Sequence, residues 1–321
     1  AVNYASAMFR LAHVSDIHLS PLPNLRKRDF ATKRITGYLN WRFNRKHTHG
    51  IDALTPLMND LKVAQPDHLV VTGDLVNLAL GPEFLATRHW LEKVGTPYDV
   101  SVVPGNHDAY VPGALTKACQ SWTEYMTGDD GLKGRQPDPE LMFPYLRRRG
   151  PIAIIGVSSA VASAPFLATG RFREDESVEV AALLKLAKDD GLFRVVLIHH
   201  PPFRFEDDAS RRLYGIRLFQ RTVLKAGAEL VLHGHTHLNS WRMIGSVDAG
   251  IPVVGVPSAS QGPGGPKPAA RWNEFAISGE PGNWNCVWSE RGITGPSGHV
   301  SHIGTRDLIT GGKAVALTYP P

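Results

Sequence analysis

The sequence predicts an α/β fold, and two observations predict it. Short apolar runs alternate with segments of helical period over most of the chain. Most of these runs close on a small polar motif rather than on a hairpin turn. Such alternation implies parallel strands joined by crossover helices. Open sheets of that type carry their sites beyond the carboxyl ends of the strands, where the motifs fall.

Phe9 to Val14 (FRLAHV) reads as the first strand. Residues 21–50 then form an insertion in which Arg26, Lys27, Arg28, Lys33, Arg34, Arg42, Arg45 and Lys46 are interleaved with Leu25, Phe30, Ile35, Tyr38, Leu39, Trp41 and Phe43. Ile35, Tyr38 and Leu39 recur at i, i+3 and i+4, which reads as a basic amphipathic helix packed over the domain. The functional alternatives are a lid on the site or a contact with anionic lipid or a partner subunit. Ile51 to Ala64 reads as a helix through Leu54, Leu57, Met58 and Leu61. A strand at Asp67 to Val71, a helix at Pro82 to Val94 and a strand at Tyr98 to Val103 follow. Residues 110–150 are irregular, and Arg147 to Arg149 read as a solvated face. Ile152 to Val157 is a strand, Glu174 to Asp189 a helix, Phe193 to Ile198 a strand, Leu213 to Ala226 a helix and Ala228 to Leu232 a strand. Residues 238–321 show short strands with Gly and Pro punctuation, which reads as a mainly antiparallel C-terminal sheet. Within them, Gln261 to Ala270 reads as a surface loop or a rim of the site.

Composition narrows the class. The chain has 321 residues, 42% hydrophobic and 20% charged, enough for a real core. Two cysteines imply no disulfide framework. A net charge of +5 suits an anionic substrate, but equally nucleic acid or a membrane surface. No apolar run approaches the roughly 18–20 residues of a membrane span, and no export signal is visible. Residues 1–7 read as an added leader ahead of a native start at Met8, and the expected location is the cytoplasm.

Five motifs stand in fixed order: Asp16-Ile17-His18, Gly73-Asp74, Gly105-Asn106-His107-Asp108, His199-His200-Pro201-Pro202 and Gly234-His235-Thr236-His237. Their donors are carboxylate, imidazole and one amide oxygen, a set that suits Mn, Fe or Zn better than Ca or Mg. An Asp-x-His pair at a strand end can direct both side chains to one ion, and an extended stretch would do the same for His235 and His237. Gly73 gives a turn that exposes Asp74, where a carboxylate can bridge two cations. Singly these motifs are weak, since Gly and Asn also favour plain turns. All five in order, each after an apolar strand, carry the signal. His13, His68 and His233 flank strands and read as structural histidines, and His47 and His49 as ordinary ones.

This set and order resemble the calcineurin-like metallophosphoesterases, and within them the bacterial class III cyclic-nucleotide phosphodiesterases. The resemblance covers roughly residues 9–260. It implies an α/β four-layer αββα sandwich, two mixed sheets flanked by helices, with residues 8–321 as a single domain. It implies an enzyme with two divalent metal ions. Asp16, His18, Asp74 and His237 would hold the first; Asp74, Asn106, His199 and His235 the second, with His200 behind His199. His107 would act as general acid or transition-state stabiliser, its ring oriented by Asp108. The implied reaction is attack of a metal-bridging hydroxide on a small phosphodiester.

Other readings remain within reach of the sequence. A hydrolase of lipid-linked or nucleotide-sugar diphosphates, of the UDP-diacylglucosamine type, would use the basic aromatic insertion. A nuclease would want an extended basic face and a capping domain for which the chain lacks room. A non-catalytic scaffold is disfavoured by the intact donor set. Among partners, a small phosphodiester leads; nucleic acid is not favoured, and peripheral membrane contact through residues 21–50 and a homo-oligomer stay open.

Overall fold

Two sheets face each other, and the ends of their parallel strands position the motifs. The computed structural model describes residues 8–25, 33–41, 50–129, 138–204, 209–246, 249–295 and 298–316. In chain order the elements are β1 (Phe9–Val14), α1 (Arg34–Asn40), α2 (Ile51–Ala64), β2 (His68–Val71), α3 (Gly81–Val94), β3 (Val100–Val102), α4 (Ala114–Trp122), α5 (Pro139–Met142), β4 (Tyr145–Arg149), β5 (Ile152–Gly156), β6 (Gly170–Arg171) and α6 (Glu174–Asp189). There follow β7 (Phe193–Leu197), β8 (Leu213–Tyr214), α7 (Ile216–Ala226), β9 (Leu230–His233), β10 (Ser240–Ile244), β11 (Ile251–Gly255), β12 (Arg271–Glu280), β13 (Asn283–Thr294), β14 (His299–Thr310) and β15 (Lys313–Ala314). The proposed leader, residues 1–7, lies outside the described residues, as do Arg26 to Arg28, Phe30 and the Arg42 to His49 stretch of the insertion.

The first sheet runs β15-β14-β13-β12-β1-β2-β3, with β1, β2 and β3 parallel. The second runs β10-β11-β9-β7-β5-β4, with its four central strands parallel. Side chains alternate along each strand, so each strand serves two layers. Ile152 and Ile154 of β5 enter the core between the sheets. Ala153 and Ile155 pack outward with Val180 and Leu184 of α6 and Phe219 and Val223 of α7. Phe193 of β7 meets Trp284 of β13 edge-on across the core, with ring centroids 5.7 Å apart. On the far side α2 covers β12, β13 and β14. The result is two mixed sheets flanked by helices.

Four expectations need correction. Residues 238–321 do not make one antiparallel sheet. β11 joins the second sheet parallel to β9, with β10 on its edge, whereas β12 pairs antiparallel with β1 and extends the first sheet. Strand pairing is non-local, and punctuation by Gly and Pro does not encode which sheet a strand joins. The expected helix at Leu213 begins at Ile216, after the short strand β8 and Gly215 at φ +95°.

Arg147 to Arg149 do not form a solvated face: they lie in β4, and Arg147 is 2% exposed. Its guanidinium donates to the carbonyls of Thr127, Pro97, Val100 and Glu124 at 2.5–2.7 Å. Arg147→Leu would strand those carbonyls in a buried place. The expected result is a loss of about 3 kcal/mol in urea unfolding, with metal content unchanged.

In α1 the exposed residues are Ile35 and Leu39, at 43% and 46%. The inward face is instead Arg34, Gly37 and Tyr38, each half-buried. Arg34 donates to the carbonyls of Leu78 and Ala79 at 2.9 and 2.7 Å. A Cβ on Gly37 would lie 2.7 Å from Leu78 Cδ2 and collide with Tyr110. Close approach to the loop after β2 decided which face turned inward.

Candidate metal centre

The loops after β1, β2, β3, β7 and β9 bring the five motifs together. After β1 and β2 the chain continues as a paired ribbon: Asp16 N donates to Gly73 O at 2.9 Å and His18 N to Asp74 O at 3.0 Å. The turns are sharper than an extended strand end. Asp16, His18, Asp74, His235 and His237 all have positive φ, between +42° and +69°. Each costs on the order of 1 kcal/mol in an L-residue, and such strain persists only where the surroundings over-determine it. The extended projection expected for Asp16-x-His18 and His235-x-His237 is therefore replaced by left-handed turns that aim both members inward.

Asp16, His18 and His237 present donor atoms within 4.8 Å of one another, and so do Asp16, Asp74 and His199. Asp16 Oδ1 is 3.0 Å from His237 Nε2 and 4.0 Å from His18 Nε2. The short contact to His237 is not aligned as a hydrogen bond, and Asp16 Oδ1 is buried without one. Asp74 Oδ2 faces both groups, 4.0 Å from His18 Nε2 and 3.4 Å from His199 Nε2. Asn106 Oδ1 is 3.2 Å from His199 Nε2. Thus all seven residues expected as ligands converge, with His235 joining through its ring contact to His199, 5.1 Å between centroids.

The tautomers follow from the acceptors, because a carbonyl can only accept. His18 Nδ1 donates to Val76 O at 3.3 Å, His199 Nδ1 to Thr72 O at 2.6 Å and His235 Nε2 to Arg211 O at 2.9 Å. In His18 and His199 the other ring nitrogen, Nε2, faces Asp74, the arrangement of imidazoles that bind metal. His200 differs. Its Nδ1 is 2.8 Å from Ser159 Oγ and its Nε2 donates to Ala168 O at 3.2 Å, so both nitrogens are spent on the protein. It stands behind His199 as a support, with ring centroids 5.0 Å apart.

Electrostatics agree with a cation site. Burial alone would raise the Asp16 carboxyl, yet His237, His199 and His18 hold it well below the usual range. The same balance, led by His199, holds Asp74 low. Burial would lower His199, but Asp74 and Asp16 raise it to about 9. Burial among other imidazoles keeps His235 well below its ordinary value and so neutral. A carboxylate pair with this much attraction for positive charge, an orphaned buried oxygen and lone pairs aimed inward fit divalent cations.

His107 lies at the edge of the cluster, its ring edge-on to His18 with centroids 4.8 Å apart. Its ring is not oriented by Asp108, as expected, but by Asn77, whose carbonyl accepts from Nδ1 at 2.6 Å. Asp108 instead accepts from the backbone N–H of Leu75, Val76 and Gly105 at 2.8–3.1 Å. It ties the loop after β2 to the loop after β3, and burial beside Asp74 raises its carboxyl to about 7. Adjacency in sequence suggested the orienting role; the turn at Gly105 points the two side chains apart.

Several supporting residues carry no sequence motif. Tyr110 stacks on His107, 5.4 Å between centroids and 21° between planes, and Lys33 lies 4.7 Å from the Tyr110 centroid. Its three-residue spacing from His107 is the only signal that could have found Tyr110. Ser258 Oγ donates to Asp16 O at 2.6 Å, and Lys267 Nζ to Thr236 O at 2.9 Å, so the 261–270 loop does border the site. His13 and His68 bond Thr72 Oγ1 and Ser101 Oγ at 2.8 Å and are structural. So is His233, whose Nε2 is 3.2 Å from Ser240 Oγ.

Gly234 is required by space. A Cβ there would lie 2.6 Å from Asp16 Oδ2 and collide with Ser15 Oγ. Gly234→Ala should displace Asp16 and lower metal affinity about 10–100-fold, as loss of ligand support usually does. Metal titration checks this, with an unfolding curve to show that the fold is retained.

An α/β sandwich with carboxylates and imidazoles converging at its strand ends defines a metal-dependent hydrolase of phosphate esters. The chain belongs to the calcineurin-like phosphoesterase family, whose profile matches residues 9–239. It is a metallophosphoesterase of a family that binds two divalent metals. Its fold is similar to that of a dimetal phosphatase from Danio rerio, with 12% identity and TM-score 0.61 over 88% of this chain and 96% of that one. It is also similar to purple acid phosphatase PPD1 from yellow lupin (Lupinus luteus), with 12% identity and TM-score 0.56 over 90% of this chain. The chain spans about half the length of the lupin enzyme, 52% of it. No curated protein sequence matches it.

Proposed function

We propose that the chain hydrolyses small phosphodiesters, cyclic nucleotides among them. The hydrolytic reading is carried by one observation: His18, His199 and His235 each tied to a backbone carbonyl around Asp16 and Asp74. The diester preference is supported by the resemblance of the five motifs to those of bacterial cyclic-nucleotide phosphodiesterases. Asp16, His18, Asp74 and His237 would hold one cation, and Asp74, Asn106, His199 and His235 the other. When bound, the pair supplies Lewis-acid polarisation of the phosphoryl group and an acidified water as nucleophile.

The protein's own residues do the rest. The bond to the Asn77 carbonyl fixes the proton of His107 on Nδ1, so Nε2 faces the cluster. Protonated at Nε2, His107 donates to the phosphoryl oxygens or to the leaving alkoxide. Tyr110 behind the ring and the Asn77 carbonyl hold that geometry without a side-chain carboxylate. Asp108 keeps the Asp74 and His107 loops in register.

A second reading rests on Ile35 and Leu39, exposed on α1 beside the site. They would suit the acyl chains of a lipid-linked diphosphate. A hydrolysis panel on protein reconstituted with Mn separates the readings. It holds bis(p-nitrophenyl) phosphate, p-nitrophenyl phosphate, 2′,3′- and 3′,5′-cyclic AMP and a UDP-diacylglucosamine. Fast cleavage of diesters over the monoester is expected. Cleavage of the monoester or of the lipid-linked diphosphate alone would overturn the diesterase reading.

A further inference from the structure

The loop after β5 and the start of α4 border a cavity of about 440 Å³, a volume usual for small-molecule sites. Ser158 and Ala160 line it just beyond the carboxyl end of β5, where sheets of this kind take ligands. Ser158 is 9% exposed, and among the described residues neither its hydroxyl nor its N–H has a hydrogen-bond partner. The N–H of Ala160, 5% exposed, has no acceptor either. Buried donors left unpaired are rare, because each forfeits its bond to water. Leu115 and Thr116, in the first turn of α4, form another part of the wall. The N-cap there is Gly113, which has no side chain to accept their N–H groups, and both N–H groups lack an acceptor among the described residues.

Arg171 lines the same cavity, and its guanidinium makes no hydrogen bond or ion pair among the described residues. The neighbouring cation is already paired: Arg173 Nε lies 3.1 Å from Asp175 Oδ1. Of the carboxylates on the wall, Glu176 accepts from the Arg173 N–H at 2.7 Å, and Asp138 is exposed ahead of α5. The unspent buried groups are therefore donors, and with the Arg171 cation they call for an anion. Guanidinium, hydroxyl and N–H groups from two chain segments are more than the two oxygens of a carboxylate serve well, whereas a phosphate monoester offers three terminal oxygens. Leu115, Phe143 and Val161 leave apolar wall for the rest of such a ligand. Ser159, between the two lining residues, gives its hydroxyl to His200 instead, at 2.8 Å from Nδ1.

We propose that this cavity is a second anion site, separate from the metal centre, and that it binds a small organic phosphate monoester. Arg171, Ser158 and the first turn of α4 hold the phosphate, and the apolar wall takes the organic group. Diester hydrolysis leaves a phosphate monoester, so the reaction proposed above would supply a ligand of this class. Binding itself does not rest on that reading.

Calorimetric titration of the metal-loaded full chain with phenylphosphonate, a monoester mimic that resists hydrolysis, tests this. Two binding events per chain are expected, one at the metals and one in the cavity. Arg171→Gln and Ser158→Ala should each weaken the cavity event by about tenfold or more, the effect of losing a hydrogen bond to a charged group. Both should leave the other event and the metal content unchanged. Neither variant should lower Tm, because Arg171 is exposed and the Ser158 hydroxyl has no partner to lose. Benzoate and inorganic phosphate should each bind the cavity more weakly than phenylphosphonate. A single event in the unaltered chain overturns the proposal, and so does a second event that neither variant weakens. Equal weakening of both events in Arg171→Gln also overturns it, because the arginine would then serve the metal centre. Benzoate binding as tightly as phenylphosphonate overturns the phosphate assignment. Two events with the expected variant effects, in a chain that cleaves no diester, would overturn the diesterase reading and leave the anion site standing.

Discussion

Asp74→Asn should lower diester turnover by about a thousandfold and reduce bound metal from two ions toward one. The substitution is close to isosteric. The amide oxygen can still accept the His107 backbone N–H that Asp74 Oδ1 accepts at 2.7 Å, so the loop keeps its shape. What is lost is the charge of the oxygen that faces His18 on one side and His199 on the other. Metal ions supply several kcal/mol of transition-state charge stabilisation. At about 1.36 kcal/mol per decade, loss of one ion gives roughly that thousandfold. Turnover and metal content by mass spectrometry check it together. Two retained ions with near-normal turnover would show that Asp74 does not bridge.

His107→Ala should lower turnover by about a hundredfold to ten-thousandfold, the usual range for a positioned proton donor, with both ions retained. The ring lies beside His18 but is tied to the Asn77 carbonyl from a loop of its own. Removing it leaves the other imidazoles on their own carbonyl partners. His18, Asp74 and His107 do present donor atoms within 4.8 Å of one another. Loss of an ion along with activity would therefore move His107 from proton donor to ligand. His107→Gln, which retains a hydrogen-bond donor, should recover part of the lost turnover if charge stabilisation rather than proton transfer dominates.

The residues of the centre were legible because metal chemistry restricts residue types. Carboxylate and imidazole donors at the ends of apolar runs point to little besides a metal once five such motifs recur in order. Their supporting partners were not legible, because those partners are mostly backbone. The carbonyls of Thr72, Val76, Asn77 and Arg211 fix four rings, and a carbonyl carries no signature in sequence. Asp108 shows the same limit from the other side. A carboxylate beside His107 suggested a hydrogen bond to that ring, but three backbone amides compete for it and the turn delivers them. Arg147 was misjudged because charge predicts exposure only while no buried acceptors await it. Four carbonyls from two segments, residues 97–100 and 124–127, supply them here.

By itself the sequence determined the alternation of strands and helices, the family and the five motifs that the fold brings together. Each follows from local periodicity or from chemistry confined to a few adjacent residues. Only the tertiary structure decided which sheet β10 to β12 join, which face of α1 turns inward and that five donors sit in left-handed turns. Those depend on contacts between residues far apart in the chain, whose pairing is settled by packing and by the pairing of buried polar groups rather than by local preference.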